Sequence, residues 1–146
     1  MLIIAQLITS FIASAGFAIL FNSPRQVLAQ CGLVGMCGWI LYYYLTSVNQ
    51  MDVVAATVIA AILVGILSRL CAVYFKKPIL IFYVAGIIPL VPGGIAYHAM
   101  RNFVENDYLS GVQLSAKVIL LSGGIALGLM FSEVAYKIIQ KAKKQI

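Results

Sequence analysis

The stretch that decides the fold is residues 79–104, ILIFYVAGIIPLVPGGIAYHAMRNFV. It is long and apolar enough to cross a lipid bilayer, for which about 20 apolar residues suffice, yet two prolines and two glycines fall near its middle. Ten residues precede Pro89. As a helix they are about 15 Å long, which is half of a hydrocarbon core about 30 Å thick. The pattern therefore predicts a membrane span that is interrupted near mid-depth.

Backbone chemistry explains the predicted interruption. Pro89 and Pro92 have no N–H group, and each clashes with the carbonyl four residues earlier. Gly93 and Gly94 permit a positive φ and the close approach of a ligand. We therefore expect residues 89–94 to be unwound rather than merely bent. Unwound backbone at membrane depth is tolerated where protein or a water-filled cavity lines it, and secondary transporters build substrate sites in this way. A kink that only shapes helix packing is the alternative.

The rest of the chain is as apolar as this segment. It is 63% hydrophobic and only 10% charged, whereas soluble domains carry about 25% charged residues. The sequence therefore predicts an all-α integral membrane protein, a single transmembrane domain over residues 1–146, with five transmembrane helices. The fourth helix is predicted to be discontinuous at Pro89–Gly94, and the spans cover approximately residues 2–21, 27–48, 53–75, 79–104 and 111–139.

The charged residues predict the orientation of these spans. Basic residues occupy the first and third connections and the C-terminal end, at Arg25, Lys76, Lys77, Lys137, Lys141, Lys143 and Lys144. Acidic residues dominate the second and fourth connections. Because cytoplasmic connections are enriched in Lys and Arg, the N-terminus is predicted outside and the C-terminus inside. The net charge of +6 is then explained by topology and lipid headgroups, and no nucleic-acid partner is predicted.

The second span carries a periodic set of small residues. Gly32, Gly35 and Gly38 recur at every third position, which places them roughly on one helix face. Small residues in membrane helices let two backbones approach closely. This face is therefore predicted to contact neighbouring helices.

Arg69 and Glu133 are ionisable residues within the predicted spans, and such residues are functional candidates. Arg69 lies six residues before Phe75, so its side chain can either reach the headgroups or pair inside the protein. Glu133 has Lys137 four residues later, which favours a pair within one helix. A proton-coupling carboxylate, or a partner for Arg69, is the alternative for Glu133.

The segment after the interruption also carries polar side chains. His98 and Arg101 share a helix face, as do Tyr97 and Arg101. This face either guides an anion outward or lies at the outer interface of the membrane. No catalytic, cofactor or metal motif accompanies these residues, and none is predicted elsewhere.

The run GIIPLVPGG at residues 86–94, followed by Tyr97, resembles the signature of the threonine/serine exporter family. In length and span pattern the chain resembles the small, membrane-only subunit of split, two-component members. That resemblance implies a pair of five-span units, fused or separate, that exports threonine and serine, or succinate in some split systems. It also implies that the motif positions are Pro89, Pro92, Gly93, Gly94 and Tyr97. Together with His98 and Arg101, these residues form the predicted substrate-binding set.

The predicted function is a subunit of a secondary transporter, not an enzyme, that exports a small carboxylate-bearing metabolite by alternating access. The chain lacks the cytoplasmic region of the larger subunit, so we expect a partner, either that larger five-span subunit or another copy of this chain. The predicted location is the bacterial cytoplasmic membrane. One alternative is a membrane enzyme acting on a lipid or lipid-phosphate, which needs clustered acid, base or metal ligands. The other is a structural subunit, in which alanine at Gly93 or Gly94 affects only stability.

Overall fold

The computed structural model describes the backbone of residues 2–144 and the side chains of residues 3–141. Over this range the chain forms six α-helices and two short 3-10 turns, with no strand. The helices are α1 (Leu2–Leu20), α2 (Leu28–Ser47), α3 (Val53–Phe75), α4 (Ile79–Ile87), α5 (Gly93–Val104) and α6 (Tyr108–Lys144).

The lengths and compositions of the helices identify the candidate membrane spans. The helices α1, α2, α3 and α6 are each long and apolar enough to cross a membrane. The helices α4 and α5 meet the same test only as a pair, and the pair is bent by 56°. The protein is therefore an all-helical, multi-pass membrane protein with four candidate spans, or five when the bent pair is one span.

Four short connections separate the helices outside the interruption, and each contains one residue with a left-handed backbone. These residues are Asn22, Gln50, Lys76 and Asn106, with φ between 47° and 64°. The side chain of Asp52 caps α3, because its Oδ2 accepts hydrogen bonds from the N–H groups of Val54 at 3.0 Å and Ala55 at 3.3 Å. Such a cap satisfies amides that have no partner within the helix.

The start of α6 is set in the same way by Asp107. Its Oδ1 accepts a hydrogen bond from the N–H of Ser110 at 3.2 Å, and hydrogen bonds from the Ser110 side chain and backbone lower the pKa of this carboxyl. The helix begins at Tyr108 and continues to Lys144, beyond both ends of the hydrophobic stretch 111–139. Its 37 residues are about 55 Å long, so α6 exceeds the thickness of a hydrocarbon core.

The glycines of α2 are contact points, as their spacing predicts. A methyl group at Gly32 would overlap the Phe11 ring of α1, and one at Gly35 would overlap Ser14 of α1. A methyl group at Gly38 would overlap Val64 of α3. The predicted face is confirmed, and it is shared between two neighbouring helices.

Two apolar clusters hold the interrupted helix in the bundle. The first lies where α1 and α3 end and α2 and α4 begin, and consists of Ala18, Val27, Cys31, Ala72, Phe82 and Ala85. The second joins α2, α3, the interruption and α6, and consists of Val34, Ala60, Ala61, Val64, Leu90 and Ile125. Leu90, in the interruption itself, is therefore anchored against the middle of α3. Helix α5 turns away and packs on the first turns of α6, where Phe103 lies against Gly111.

Candidate functional site at the interrupted helix

The interruption is compact. Helix α4 tightens into a 3-10 turn at Ile88–Leu90, Val91 is extended, and α5 begins at Gly93. The N–H of Val91 donates to the carbonyls of Ile87 at 3.2 Å and Ile88 at 3.3 Å. Proline has no N–H group, but the first turn of a helix does not need that group for its own hydrogen bonds. Pro89 therefore fits into this short 3-10 turn without the loss of a hydrogen bond. The non-helical stretch is shorter than the predicted run from residue 89 to residue 94.

The two glycines after the interruption do not use the backbone freedom that the sequence suggests. No glycine in the described residues has a positive φ, and Gly93 and Gly94 are the first two residues of α5. What distinguishes these two glycines is the open space beside them, because a methyl group at either position would have no atom within 4 Å. The backbone at the start of α5 is therefore uncovered by the rest of the described chain.

An open cavity of about 200 Å³, lined in part by polar side chains, lies beside Pro89. The remaining lining comes from α1 and α2, namely Gln6, Thr9, Ser10, Ala13 and Trp39. None of these side chains carries a formal charge. Four of the six lining residues belong to one face of α1, so this helix forms most of the wall opposite the interruption.

The side chain of Gln6 has a defined orientation in this cavity. The indole Nε1–H of Trp39 donates a hydrogen bond to Gln6 Oε1 at 2.6 Å, and the Trp39 ring packs against Tyr42 at a centroid distance of 5.3 Å. The hydroxyls of Thr9 and Ser10 donate to carbonyls of their own helix, at Ala5 (2.8 Å) and Gln6 (2.7 Å). The polar side chains of the cavity wall are thus held by hydrogen bonds.

A charged cluster joins α3, α4 and α6 on the other side of the interruption. Arg69 Nη2 lies 2.6 Å from Glu133 Oε1, and Lys137 Nζ lies 3.6 Å from the same oxygen. Tyr83 of α4 donates its hydroxyl hydrogen bond to Glu133 Oε2 at 3.4 Å. The guanidinium of Arg69 also stacks over the ring of Tyr136 at 4.4 Å. Arg69 and Glu133 therefore contact each other across two helices, and Lys137 adds the contact within α6.

The polar residues of α5 are not part of either group. Tyr97, His98 and Arg101 are exposed, and none of them lines the cavity beside Pro89. Tyr97 and His98 contact each other edge to face, and Arg101 Nε pairs with Glu105 at 2.8 Å on the surface of the helix. Of the predicted substrate-binding residues, Pro89 is the one in the cavity wall, while Pro92 is buried behind it and the others face outward.

Comparison with known proteins decides the family. The sequence pattern of the family described as "Threonine/Serine exporter, ThrE" matches residues 6–135. The chain belongs to the threonine/serine exporter family. An uncharacterized protein of Haemophilus influenzae is 37% identical over 95 residues, which cover 64% of this chain and 31% of that protein. The chain thus spans about a third of the length of this relative. No solved structure matches the present chain.

For a member of the threonine/serine exporter family, the residues that sequence reasoning missed are those of α1 and α2. Gln6, Thr9 and Ser10 follow the helical spacing i, i+3, i+4 within an otherwise apolar span, and this periodicity was the available signal. Trp39, in α2, also lies in the cavity wall. Among the described side chains, no three or more His, Cys, Asp or Glu residues lie close enough together to hold a metal ion.

Proposed function

We propose that this chain is one five-span unit of a secondary exporter in the bacterial cytoplasmic membrane. Its cargo is a small carboxylate-bearing metabolite, either threonine and serine or a dicarboxylate such as succinate. The observation that carries the proposal is the interrupted α4–α5 span with an open cavity, lined in part by polar side chains, against Pro89. A polar cavity at broken backbone is where transporters bind substrates, and the family of this chain is one of exporters.

The proposed orientation places the start of α1 outside and the end of α6 inside. It rests on Arg25, Lys76 and the lysines at the C-terminal end of α6, which belong to connections and helix ends at one side of the bundle. Cytoplasmic ends of spans carry such residues. In this orientation the cavity beside Pro89 lies toward the outside, and the Arg69–Glu133 cluster lies toward the cytoplasm.

Alternating access is proposed to use α4 as the moving link. Tyr83 contacts Glu133 in the charged cluster, and Pro89 lies six residues later on the same element, about 9 Å along a helix axis. A movement of α4 that opens the cytoplasmic side must break the Tyr83 contact. The same movement displaces Pro89 in the cavity wall, so the two sides are mechanically coupled.

A second unit is proposed to complete the transport path. Helix α5 packs mainly on α6, and the cavity is open rather than enclosed, so one unit does not surround a substrate. The larger five-span subunit of a split exporter, or another copy of this chain, would supply the missing wall. The residues Tyr97, His98 and Arg101 are exposed. They are proposed to contact either the substrate as the substrate leaves the cavity, or this second unit.

The test of this function is efflux from cells that produce the chain together with the protein encoded by the neighbouring gene. Cells are loaded with labelled threonine, serine or succinate, and the loss of label is followed with time. We expect efflux of at least one of these compounds above that of cells lacking the chain. If both proteins are present in the membrane and none of the three compounds leaves faster, the exporter proposal is wrong.

Replacing Gly94 with alanine separates a substrate path from a structural role. The added methyl group meets no atom within 4 Å, and alanine is favoured over glycine in a helix by about 1 kcal/mol, so folding should be retained. Efflux should nevertheless fall by about 10-fold, the effect of one methyl group in a substrate path, because the uncovered start of α5 is proposed to border that path. The matched control is Gly16→Ala in α1, which also faces open space but does not belong to the interrupted helix. Equal efflux from both folded variants would favour the structural-subunit alternative.

A further inference from the structure

Two open grooves adjoin at Arg69, along the C-terminal halves of α3 and α6. The larger groove, of about 520 Å³, extends along α3 to Phe75, and the smaller, of about 130 Å³, extends along α6 to Ile139. Arg69, Leu70 and Tyr136 line both grooves. Nearly all of the remaining lining is apolar, so the pair of grooves suits two adjacent hydrocarbon chains.

The grooves lie on the outer surface of the bundle. Their lining includes the exposed side chains Ile66, Leu70, Val73, Tyr74 and Ile139. Because α3 and α6 are long and apolar enough to span a membrane, this surface contacts lipid rather than water. Apolar contact alone does not select one lipid over another, since lipid tails are all similarly apolar. Selectivity must therefore come from the polar groups at the edge of the grooves.

The edge of the grooves is basic. Arg69 and Lys137 share the single carboxylate of Glu133, which leaves one positive charge without a counter-charge. Lys137 is the more exposed of the two cations and lies 3.6 Å from that carboxylate. Lys141, one turn further along α6, and Lys76, directly after α3, are also exposed. The other acidic residues of the chain lie in connections at the opposite side of the bundle, namely Asp52, Glu105 and Asp107. The edge is therefore suited to an anion.

Two side chains at this edge also have unused hydrogen-bond donors. Arg69 contacts Glu133 through Nη2, and its Nε has no hydrogen-bond partner within the described residues. The ring of Tyr136 lies against the guanidinium. Its hydroxyl oxygen accepts a hydrogen bond from Gln140 Nε2 at 2.8 Å, so the hydroxyl hydrogen remains available to donate. Charge-assisted hydrogen bonds from Arg and Lys to phosphate are among the strong ones in proteins.

We infer that the two grooves bind an anionic phospholipid, with the acyl chains along α3 and α6 and the phosphate at the edge formed by Arg69, Tyr136 and Lys137. Basic pockets between membrane helices bind acidic lipid headgroups in this way. A zwitterionic lipid fits the same grooves, but it brings an ammonium group to an edge that is already positive. A second copy of the chain would cover the apolar surface, but it would place the same lysines close to one another, and like charges repel.

Native mass spectrometry of the purified full chain in a mild detergent measures this binding without transport. Phosphatidylglycerol and phosphatidylcholine with identical acyl chains are added in equal amounts, so that the two probes differ only in the headgroup. We expect bound phosphatidylglycerol to exceed bound phosphatidylcholine by about 5-fold or more, because each basic residue near an anionic headgroup contributes about that factor.

Three variants locate the binding. Lys137→Gln, at an exposed position with only a distant ion pair, should lower phosphatidylglycerol binding about 5-fold and leave phosphatidylcholine unchanged. The matched control is Lys117→Gln, the same change at an exposed position near the other end of α6, which should bind as the unmodified chain does. Leu70→Trp, at an exposed position, fills the place where the grooves adjoin. It should reduce the binding of both lipids, and it provides the test if Lys137→Gln does not fold.

The lipid site is ruled out if the two lipids bind equally, or if the two lysine variants lose phosphatidylglycerol to the same extent. It is also ruled out if Leu70→Trp leaves lipid binding intact but converts a dimer of the chain into monomers, because the grooves would then hold a second copy. Efflux plays no part in these measurements, so either result leaves the proposed function standing.

Discussion

Replacing Glu133 with glutamine should destabilise the protein by roughly 1–3 kcal/mol, less than the cost of breaking a fully buried ion pair, because the side chains of Arg69 and Glu133 are 22% and 33% exposed. The carboxylate lies 2.6 Å from Arg69 Nη2 and 3.6 Å from Lys137 Nζ. It also accepts the hydrogen bond of Tyr83. Without the carboxylate, the guanidinium of Arg69 keeps its charge but loses its counter-charge. Unfolding of the purified protein in a mild detergent, followed by circular dichroism, measures the effect.

Two comparisons isolate the Arg69–Glu133 contact. Lys137→Gln removes a charge from the same cluster, but this side chain is 70% exposed and more distant, so the loss should stay below about 1 kcal/mol. The double variant Arg69→Met with Glu133→Leu replaces the pair by apolar groups and should recover much of the stability lost in Glu133→Gln. The explanation fails if Glu133→Gln is no more harmful than Lys137→Gln.

The folded double variant also tests whether Glu133 couples transport to the movement of a proton. If the pair only fastens α3 to α6, export by the double variant should keep the pH dependence of the unmodified protein. If Glu133 carries a proton during transport, the double variant should lose that dependence, because no other acidic side chain belongs to the described cluster. Efflux measured across a pH series distinguishes the two roles.

Gly128→Ala should cost about 1–3 kcal/mol, the usual penalty for overpacking a tight core. A methyl group at this position would lie 2.6 Å from the Val58 carbonyl oxygen and 2.6 Å from the Ala61 Cβ, both in α3. Neither atom can rotate away, because one belongs to the backbone and the other is fixed to it. The helices α3 and α6 would have to separate along their interface, which includes the Arg69–Glu133 pair.

The matched control is Gly123→Ala in the same helix, where a methyl group meets no atom within 4 Å. This variant should be as stable as the unmodified protein or slightly more so, since alanine favours a helix. Thermal unfolding in detergent compares the two variants, and about 2–4 °C per kcal/mol is expected for a chain of this size. Equal midpoints for the two variants would contradict the close contact between α3 and α6.

Some parts of the candidate site follow from local sequence, and others do not. The position of the interruption at Pro89 was predictable because proline removes its own N–H and clashes within four residues. The conformation of Gly93 and Gly94 was not, since glycine permits many backbone angles and here adopts helical ones. Arg69 had two possible environments in the sequence. Its contact with Glu133 depends on how far α3 and α6 are rotated and shifted against each other.

The sequence by itself determined the properties that belong to contiguous residues: helices apolar enough to span a membrane, the interruption that follows α4, and the small-residue face of α2. Each follows from hydropathy, backbone chemistry or helical periodicity within one segment. Only the tertiary structure decided which polar side chains meet. Gln6 and Trp39 are 33 residues apart, and Tyr83 and Glu133 are 50 residues apart. Such contacts depend on the rotation and register of packed helices, to which many small side-chain contacts contribute. For that reason the cavity wall came from α1 and α2, while the polar residues of α5 remained outside it.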